Sequence, residues 1–265
     1  MTTPIFDIMI VAAGNGTRMG ENSLPKILTK INGKSNLHNT FDKLTEAKNI
    51  GHIYIVVNKR NHAKINESIN EYISYYAHPL MDSVSIIEIE SGRGDGHAVL
   101  KAAEKIEKLS PWFFVLWGDA YLTSGEIFND CVLEKSQNHF NQPIPMYIPV
   151  INEKDPYVTF LVDKDMNCLS ADFSKRGEHH PTGFHDQCLF FCDKQKILSS
   201  LNVLEQAFFK NGRYVTDSGE LTFLYLVHYL YNSNACGAKA IITDSPVLSY
   251  NTLGEVKEIE KILQN

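Results

Sequence analysis

The feature that most constrains the fold is an apolar segment near the N-terminus that leads into a glycine-rich loop. Residues Ile8–Ala13 predict a buried strand, and Gly14, Gly16 and Gly20 follow it. Glycine lets the backbone approach a ligand closely and turn its N–H groups toward an anion. Because open α/β sheets bind ligands at the carboxyl ends of their strands, this segment predicts a phosphate-binding loop in a fold of that class.

Two cationic residues, Arg18 and Lys26, belong to the same loop. A guanidinium can contact two phosphate oxygens at once, and a lysine ammonium adds a mobile point charge. The Gly-Lys-Ser/Thr ending of a Walker A loop is absent here. Dinucleotide binding is disfavoured, because Leu24-Pro25-Lys26 interrupts an immediate helix and no acidic residue follows the second predicted strand. The charges therefore favour a triphosphate.

Strand and helix patterns alternate along the first half of the chain, which predicts βαβ units, a mostly parallel sheet and an α/β fold. The predicted strands after the first are His52–Val57, Val84–Glu90 and Trp112–Trp117, and the predicted helices are Asn36–Lys48, His62–Tyr76 and His97–Leu109. The second half predicts strands at Met146–Ile151, Val158–Val162, Gln187–Cys192, Ala238–Thr243 and Val247–Tyr250, and helices at Lys196–Phe209, Leu221–Tyr231 and Leu253–Leu263. We expect one domain over residues 1–265, with a nucleotide-binding half (1–145) and a second-substrate half (146–265).

Composition narrows the class of protein. A net charge of −6 over 265 residues, with no basic run, argues against a general nucleic-acid binder. No apolar stretch reaches the roughly 18 residues that a membrane helix needs, and the N-terminus lacks a signal pattern, so we expect a cytoplasmic protein. The five cysteines predict buried reduced thiols, with Cys188 and Cys192 on one face of a strand.

Several short motifs occur in a fixed order along nearly the whole chain. They are Ala12-Ala-Gly-Asn-Gly-Thr-Arg-Met19, Leu24-Pro-Lys26, Gly94-Asp-Gly-His-Ala-Val99, Gly118-Asp-Ala-Tyr-Leu122, Thr216-Asp217 and Tyr250-Asn-Thr252. Together they resemble the sugar-phosphate nucleotidyltransferases, most closely the N-acetylglucosamine-1-phosphate uridylyltransferase domain. The resemblance implies a three-layer Rossmann-like domain of the nucleotide-diphospho-sugar transferase type, with a mixed, mostly parallel sheet.

The resemblance also implies roles for individual residues. Arg18, Lys26 and Asp119 would be catalytic, and Asp119 and Asn251 would bind Mg²⁺. The residues implied in nucleotide binding are Ala12, Ala13, Gly14, Gly16, Thr17, Arg18, Lys26, Glu90, Gly94, Gly96, His97 and Asp119. The residues themselves support Asp119, since it ends an apolar strand and Mg²⁺ prefers carboxylate and phosphate oxygens. His97 suits packing better than catalysis, and Thr252 suits a helix cap.

The identity of the base and of the second substrate is less constrained. A carboxylate at Glu90, or at Glu88 under a shifted gap, favours an amino group over a carbonyl, which leaves UTP and CTP nearly level. The family's sugar contacts are not recognisable in this chain. Candidate second-substrate residues are Tyr157, Lys175, His185, Gln187 and Asp217.

The leading hypothesis is a Mg²⁺-dependent nucleotidyltransferase that joins UTP or CTP to a phosphorylated small molecule, a sugar 1-phosphate by resemblance, and releases pyrophosphate. One alternative is a cytidylyltransferase for a non-sugar phosphate, such as a phosphoalcohol or a phosphorylated amino-acid derivative. Another is a nucleotide-binding regulator without turnover. A glycosyltransferase is disfavoured because no Asp-x-Asp motif follows the central strand. Nucleic acid and membrane are not expected as partners, and a homo-oligomer stays open.

Overall fold

The computed structural model describes residues 5–14, 16, 24–47, 49–76, 78–90, 92–137, 144–173, 182–233 and 237–264. The strands are β1 (Phe6–Ala12), β2 (Lys30–Ile31), β3 (Lys34–Ser35), β4 (Ile50–Asn58), β5 (Val84–Ile89), β6 (Trp112–Trp117), β7 (Ala120–Leu122), β8 (Met146–Glu153), β9 (Val158–Val162), β10 (Asn167–Phe173), β11 (Gly183–Asp186), β12 (Leu189–Asp193), β13 (Phe209–Lys210), β14 (Arg213–Tyr214), β15 (Ala238–Ile242) and β16 (Val247–Ser249). The α-helices are α1 (Asn36–Glu46), α2 (Lys59–Tyr75), α3 (Asp95–Lys105), α4 (Glu126–Gln137), α5 (Lys194–Phe208), α6 (Tyr225–Asn232) and α7 (Leu253–Ile262), and 3₁₀ turns span Lys26–Leu28 and Pro79–Ser83.

A mixed sheet of ten strands has the order β11-β9-β10-β15-β8-β12-β6-β1-β4-β5. Among the seven strands from β15 to β5, β12 runs against the other six, which are mutually parallel. Strands β9, β10 and β11 are antiparallel additions, and β11 also pairs with β8. The predicted α/β fold with a mixed, mostly parallel central sheet is thereby confirmed.

Helices cover both faces of the sheet, because side chains of the central strands alternate between two buried cores. In β1, Ile8 and Ile10 pack with α1, α2 and α4, while Met9 packs with α3, α5 and α6. In β6, Phe114 lies in the first of these cores and Val115 lies in the second. A parallel sheet buried on both faces requires such nearly continuous apolar strands. The result is a three-layer architecture.

The strands of the sheet come from both halves of the sequence. Strand β12 lies between β6 and β8 and pairs with β6 over five residues, from Leu189 with Leu116 to Asp193 with Trp112. The Phe191 ring stacks on Phe114 at a centroid distance of 4.4 Å. The two halves therefore share one sheet, while the division of substrates between them stays a prediction.

The structure corrects two local predictions. Cys188 has a φ of 55° and precedes β12, so the predicted strand Gln187–Cys192 begins two residues later, at Leu189. The helix predicted from Leu221 begins at Tyr225, because the backbone of residues 221–223 is hydrogen-bonded to the start of α3. The predicted thiols Cys131, Cys168, Cys188 and Cys192 are buried and free, and Cys236 lies outside the described residues.

Eight of the described strands and α-helices have no counterpart in the sequence predictions: α4, β2, β3, β7, β10, β11, β13 and β14. Within the described ranges, no helix is both long and apolar enough to cross a membrane.

Candidate active site

A cavity of about 480 Å³ opens at the carboxyl ends of β1, β5 and β6. The sequence predicts a ligand site at this edge of the sheet. The described residues that line it are Val11, Ala13, Gly14, Gly16, Lys26, Ile89, Glu90, Gly92, Gly94, Asp95, Ala98, Trp117, Asp119, Glu220, Thr222 and Asn251. Many of the predicted nucleotide-binding residues are among them.

Three predicted site residues meet in this cavity from distant parts of the chain. Lys26 Nζ donates to Asp119 Oδ2 at 2.8 Å and to Asn251 Oδ1 at 2.8 Å. The side chains of Lys26 and Asp119 are 22% and 26% exposed, so the ion pair is accessible to a ligand but partly shielded from water. The ammonium thus lies between the two oxygens that the resemblance assigns to a metal ion.

The position of Asp119 is fixed by the polypeptide on both sides of it. The buried Asn36 side chain donates from Nδ2 to the carbonyl oxygens of Gly118, at 3.2 Å, and Ala120, at 2.9 Å. Gly118 N in turn donates to Val11 O of β1 at 2.9 Å. A buried amide that bridges two carbonyls holds a turn firmly, because leaving those groups unpaired costs about 1–3 kcal/mol each.

Lys26 and Asn251 are held against each other through Tyr250. The fully buried Tyr250 donates its hydroxyl proton to Lys26 O at 2.7 Å. Thr252 is the N-cap of α7 and forms a capping box with Glu255, as the sequence predicts for Thr252. Asn251 directly precedes this cap, and it lines the cavity.

The loop after β1 is held by Asn58, which also caps α2. Asn58 Nδ2 donates to Ala13 O at 2.9 Å, and its Oδ1 accepts from Asn61 N at 3.0 Å. Ala13, Gly14 and Gly16 line the cavity. Thr17 and Arg18 lie outside the described residues, so their predicted roles stay predictions.

The donor set suits a hard divalent cation. Asp119 offers a carboxylate oxygen and Asn251 an amide oxygen, both within 2.8 Å of the same ammonium nitrogen. Mg²⁺ is bound in proteins by one or two such oxygens, with water and substrate phosphates completing its octahedron. No cluster of three or more His, Cys, Asp or Glu residues with metal-binding geometry occurs in the described part of the chain. The residues therefore fit a Mg²⁺ ion that is shared with a phosphate ligand, and not a metal held by protein alone.

Gly94 and Gly96 are two of the predicted nucleotide-binding residues. In the structure, both lie against the backbone of Leu221. Gly94 has a φ of 97°, and a Cβ there would lie 2.4 Å from Leu221 O. Gly96 N donates to Leu221 O at 2.9 Å. The N–H groups of Gly96 and His97, at the start of α3, thus bind the chain itself. Gly94 still lines the cavity, whereas Gly96 is not among its lining residues.

Glu90 and His97 differ in their access to the cavity. Glu90 lines its rim with a side chain that is 76% exposed, and it pairs with Arg93 Nη2 at 3.2 Å. The buried His97 is not among the lining residues, because Nδ1 contacts Tyr214 OH at 2.8 Å. Burial lowers the pKa of His97, and the nearby Glu205 opposes the shift. His97 is positioned for packing between α3 and α5.

The structure does not bring the predicted second-substrate residues to this cavity. Tyr157 is 61% exposed, and His185 Nδ1 contacts Val158 O at 3.0 Å. Gln187 is buried, and its Oε1 accepts from Val247 N at 2.7 Å. Asp217 is exposed outside the lining, and Lys175 lies outside the described residues. Ala12, at the end of β1, is also absent from the lining.

Sequence reasoning missed eight of the described lining residues: Val11, Ile89, Gly92, Asp95, Ala98, Trp117, Glu220 and Thr222. Trp117 could have been found, since it ends the strand that presents Asp119. Asp95 lies within one of the motifs that carry the resemblance, Gly94-Asp-Gly-His-Ala-Val99. Glu220 and Thr222 reach the cavity because residues 221–223 bind the start of α3, and such a tertiary contact leaves no local signal.

Comparison with known proteins agrees with the motifs. The family described as MobA-like NTP transferase domain matches residues 8–189. The bifunctional protein GlmU of Clostridium novyi (strain NT) is 24% identical over 270 residues, which cover 97% of this chain and 52% of that protein. The chain thus spans about half the length of this curated relative.

Solved structures share the fold at low sequence identity. HddC from Yersinia pseudotuberculosis, complexed with GMP-PN, has a TM-score of 0.67 at 20% identity and covers 98% of this chain and 100% of its own. A 4-diphosphocytidyl-2C-methyl-D-erythritol synthase from Anaerococcus prevotii has a TM-score of 0.65 at 17% identity, covering 99% and 97%. UDP-glucose pyrophosphorylase complexed with UDP-glucose has a TM-score of 0.73 at 13% identity, covering 98% of each chain.

The family match covers more than half of the chain, and the motifs within it come together around one cavity. The resemblance to the nucleotidyltransferases is thereby confirmed, and the chain belongs to the MobA-like NTP transferase domain family.

Proposed function

We propose that this protein is a Mg²⁺-dependent nucleotidyltransferase that joins a pyrimidine nucleoside triphosphate to a phosphorylated small molecule, a sugar 1-phosphate, and releases pyrophosphate. The observation that carries this proposal is the meeting of Lys26, Asp119 and Asn251 in the cavity at the carboxyl end of the sheet. Family membership and the fold shared with UDP-glucose pyrophosphorylase support it.

The reaction asks the protein for positioning and charge neutralisation. An oxygen of the acceptor phosphate forms a bond to the α-phosphorus of the triphosphate, and the bond from that phosphorus to the bridging oxygen of pyrophosphate breaks. A phosphate monoester is largely a dianion near pH 7, so the attack needs no general base. Lys26 is long enough to exchange its present partners for phosphate oxygens, and Arg18 would add a second cation. When bound by Asp119 and Asn251, Mg²⁺ supplies further neutralisation of charge on the phosphates.

A cytidylyltransferase for a non-sugar phosphate is the second candidate. Two observations favour it: the predicted sugar-side residues do not line the cavity, and the Anaerococcus prevotii synthase shares the fold. Both candidates carry out the same bond exchange and differ only in the acceptor.

The test is a matrix assay for pyrophosphate release. Each of UTP, CTP, ATP and GTP is combined with sugar 1-phosphates, phosphoalcohols and phosphorylated amino-acid derivatives, with Mg²⁺ or with EDTA. We expect release that requires both an acceptor and Mg²⁺. Tight nucleotide binding without release for any acceptor would instead identify a regulator, and release that is strongest with a purine nucleotide would contradict the pyrimidine assignment.

A further inference from the structure

The described cavity has a part that suits a nucleobase better than a phosphate. Val11, Ile89 and Ala98 line it with apolar side chains from β1, β5 and α3. Binding sites for flat organic ligands combine such apolar walls with a few well-placed polar groups. Asp95, the first residue of α3, is a polar residue that also lines the cavity.

Asp95 has one oxygen engaged by the protein and one that is not. Its Oδ1 accepts from Gly96 N at 2.8 Å and from Phe223 N at 2.7 Å. Within the described residues, Oδ2 forms no hydrogen bond to a neighbouring residue. A tether between α3 and residues 221–223 requires only the first oxygen. The second oxygen is therefore held in place without taking part in that tether.

We propose that Asp95 determines base specificity by accepting a hydrogen bond from an exocyclic amino group, so that CTP is bound in preference to UTP. This inference rests on the proposed function, because it takes the cavity to be the nucleotide site.

The preference follows from what each base presents. The cytosine amino group donates, whereas uracil has carbonyl oxygens at O4 and O2 on either side of its N3–H, and both oxygens would repel a carboxylate. Only one Asp95 oxygen accepts no hydrogen bond from another described residue. That oxygen can accept from one amino group of a ligand more readily than from two adjacent donor groups. Adenine and guanine also carry an amino group, so they serve as competitors in the test.

The surroundings of Asp95 shift the pKa of its carboxyl group. Burial raises the pKa of Asp95 to about 6, opposed by the hydrogen bonds from Phe223 N and Gly96 N, and the charge of Glu220 raises it further. The other charged groups of the cavity and its rim are Glu90, Arg93, Lys26 and Asp119. Buried carboxyl groups with raised pKa values are typical of functional sites.

Asp95 is better placed for this task than Glu90, the carboxylate favoured by the sequence. The Glu90 side chain is 76% exposed and pairs with Arg93 on its own loop. An exposed hydrogen bond discriminates weakly between ligands, because water satisfies whichever group is left unpaired. Asp95 is partly buried, and its Oδ1 accepts two backbone hydrogen bonds. Water therefore replaces a lost ligand contact less easily at Asp95 than at Glu90.

The test measures equilibrium binding of CTP, UTP, ATP and GTP with Mg²⁺ to the full-length protein by calorimetry at pH 7.5. We expect a Kd for CTP at least roughly tenfold below that for UTP, the scale of one hydrogen bond in a shielded site. D95N keeps Oδ1 for both backbone contacts and replaces Oδ2 by an amide that donates. It should reduce the ratio to about threefold or less, or invert it. D165N, at an exposed turn outside the cavity, is the matched control and should leave the ratio unchanged, and thermal melting checks that both variants fold.

A second arm repeats the comparison at pH 5. A protonated Asp95 can donate to the uracil carbonyl, so the preference for CTP should fall below pH 6 in the wild type and not in D95N. The triphosphate groups titrate alike in both nucleotides and cancel from the ratio. A ratio near one in the wild type, or a ratio that D95N does not change, would overturn the assignment. Binding with the expected ratio but without pyrophosphate release for any acceptor would contradict only the proposed function.

Discussion

The Lys26 ammonium lies between the oxygens of Asp119 and Asn251, where the resemblance to the family implies a metal ion. The ammonium group and a divalent cation cannot occupy that position at the same time. On the proposed function, we therefore expect Lys26 to compete with Mg²⁺ for Asp119 and Asn251 while the nucleotide is absent, and to be available to phosphate oxygens once Mg²⁺ is bound.

Lys26→Met tests this competition because it removes the ammonium and keeps most of the side-chain volume. We expect tighter binding of Mn²⁺, used as a spectroscopic substitute for Mg²⁺, to the nucleotide-free protein, measured by electron paramagnetic resonance. The substitution should remove about 2–4 kcal/mol of transition-state stabilisation, the scale of one preorganised charge donor, and turnover should fall accordingly. The exposed Lys30 provides the control, and Lys30→Met should change neither quantity. Weaker Mn²⁺ binding in Lys26→Met would show that the lysine does not compete.

Asp119→Asn tests the metal assignment at the other partner. The amide oxygen can still accept from Lys26, so the fold and the melting temperature should persist, while the loss of the charged ligand should lower turnover by roughly two orders of magnitude. Pyrophosphate release and thermal melting measure the two effects. Asp165→Asn, at an exposed turn, is the control. Nearly normal Mg²⁺-dependent turnover in Asp119→Asn would remove the assignment.

At the scale of elements, the start of α3 and residues 221–223 form one unit. Leu221 N donates to Arg93 O, and Gly96 N donates back to Leu221 O, both at 2.9 Å. Gly94 lies at the centre of this exchange, with a φ of 97° and no space for a Cβ beside the Leu221 backbone. The wall of the cavity that carries Asp95 depends on this contact.

Gly94→Ala should therefore destabilise the protein by at least about 1–3 kcal/mol, from the positive φ and from the displaced Leu221 backbone. Urea denaturation measures the free energy of unfolding. Gly219→Ala separates the two causes, since Gly219 has a φ of 72° but no neighbouring atom within 4 Å of a Cβ. If both substitutions cost the same, the packing of Gly94 against Leu221 contributes nothing.

Elements whose own side chains determine their structure could be predicted from the sequence. Strand β6 was predicted with its observed bounds, Trp112–Trp117, because its apolar run is continuous. Helix α6 begins four residues later than predicted, since tertiary hydrogen bonds tie residues 221–223 to the start of α3. Cys188 was assigned to a strand, although its positive φ belongs to a turn that alternating hydrophobicity does not reveal. Asp119 could be predicted from its place at the end of an apolar strand, and Lys26 from the charge of the phosphate-binding loop. Their meeting with Asn251 could be predicted only through the family resemblance, because 225 residues separate Lys26 from Asn251.

At the scale of the whole molecule, the shared sheet predicts that both halves unfold together. Trp112 and Trp117 belong to β6, which pairs along its length with β12 of the second half. Tryptophan fluorescence and far-ultraviolet circular dichroism should therefore follow one coincident urea transition. Two separated transitions would show that the halves are independently stable.

Labelled nucleotides test whether the protein transfers the α-phosphorus of a nucleotide to a phosphate acceptor. With the acceptor that supports pyrophosphate release, the protein is supplied with triphosphate labelled with ³²P at either the α or the γ position. We expect the α label in the nucleotide-linked product and the γ label in pyrophosphate. Transfer of the γ label to the acceptor would identify a kinase and rule out nucleotidyl transfer.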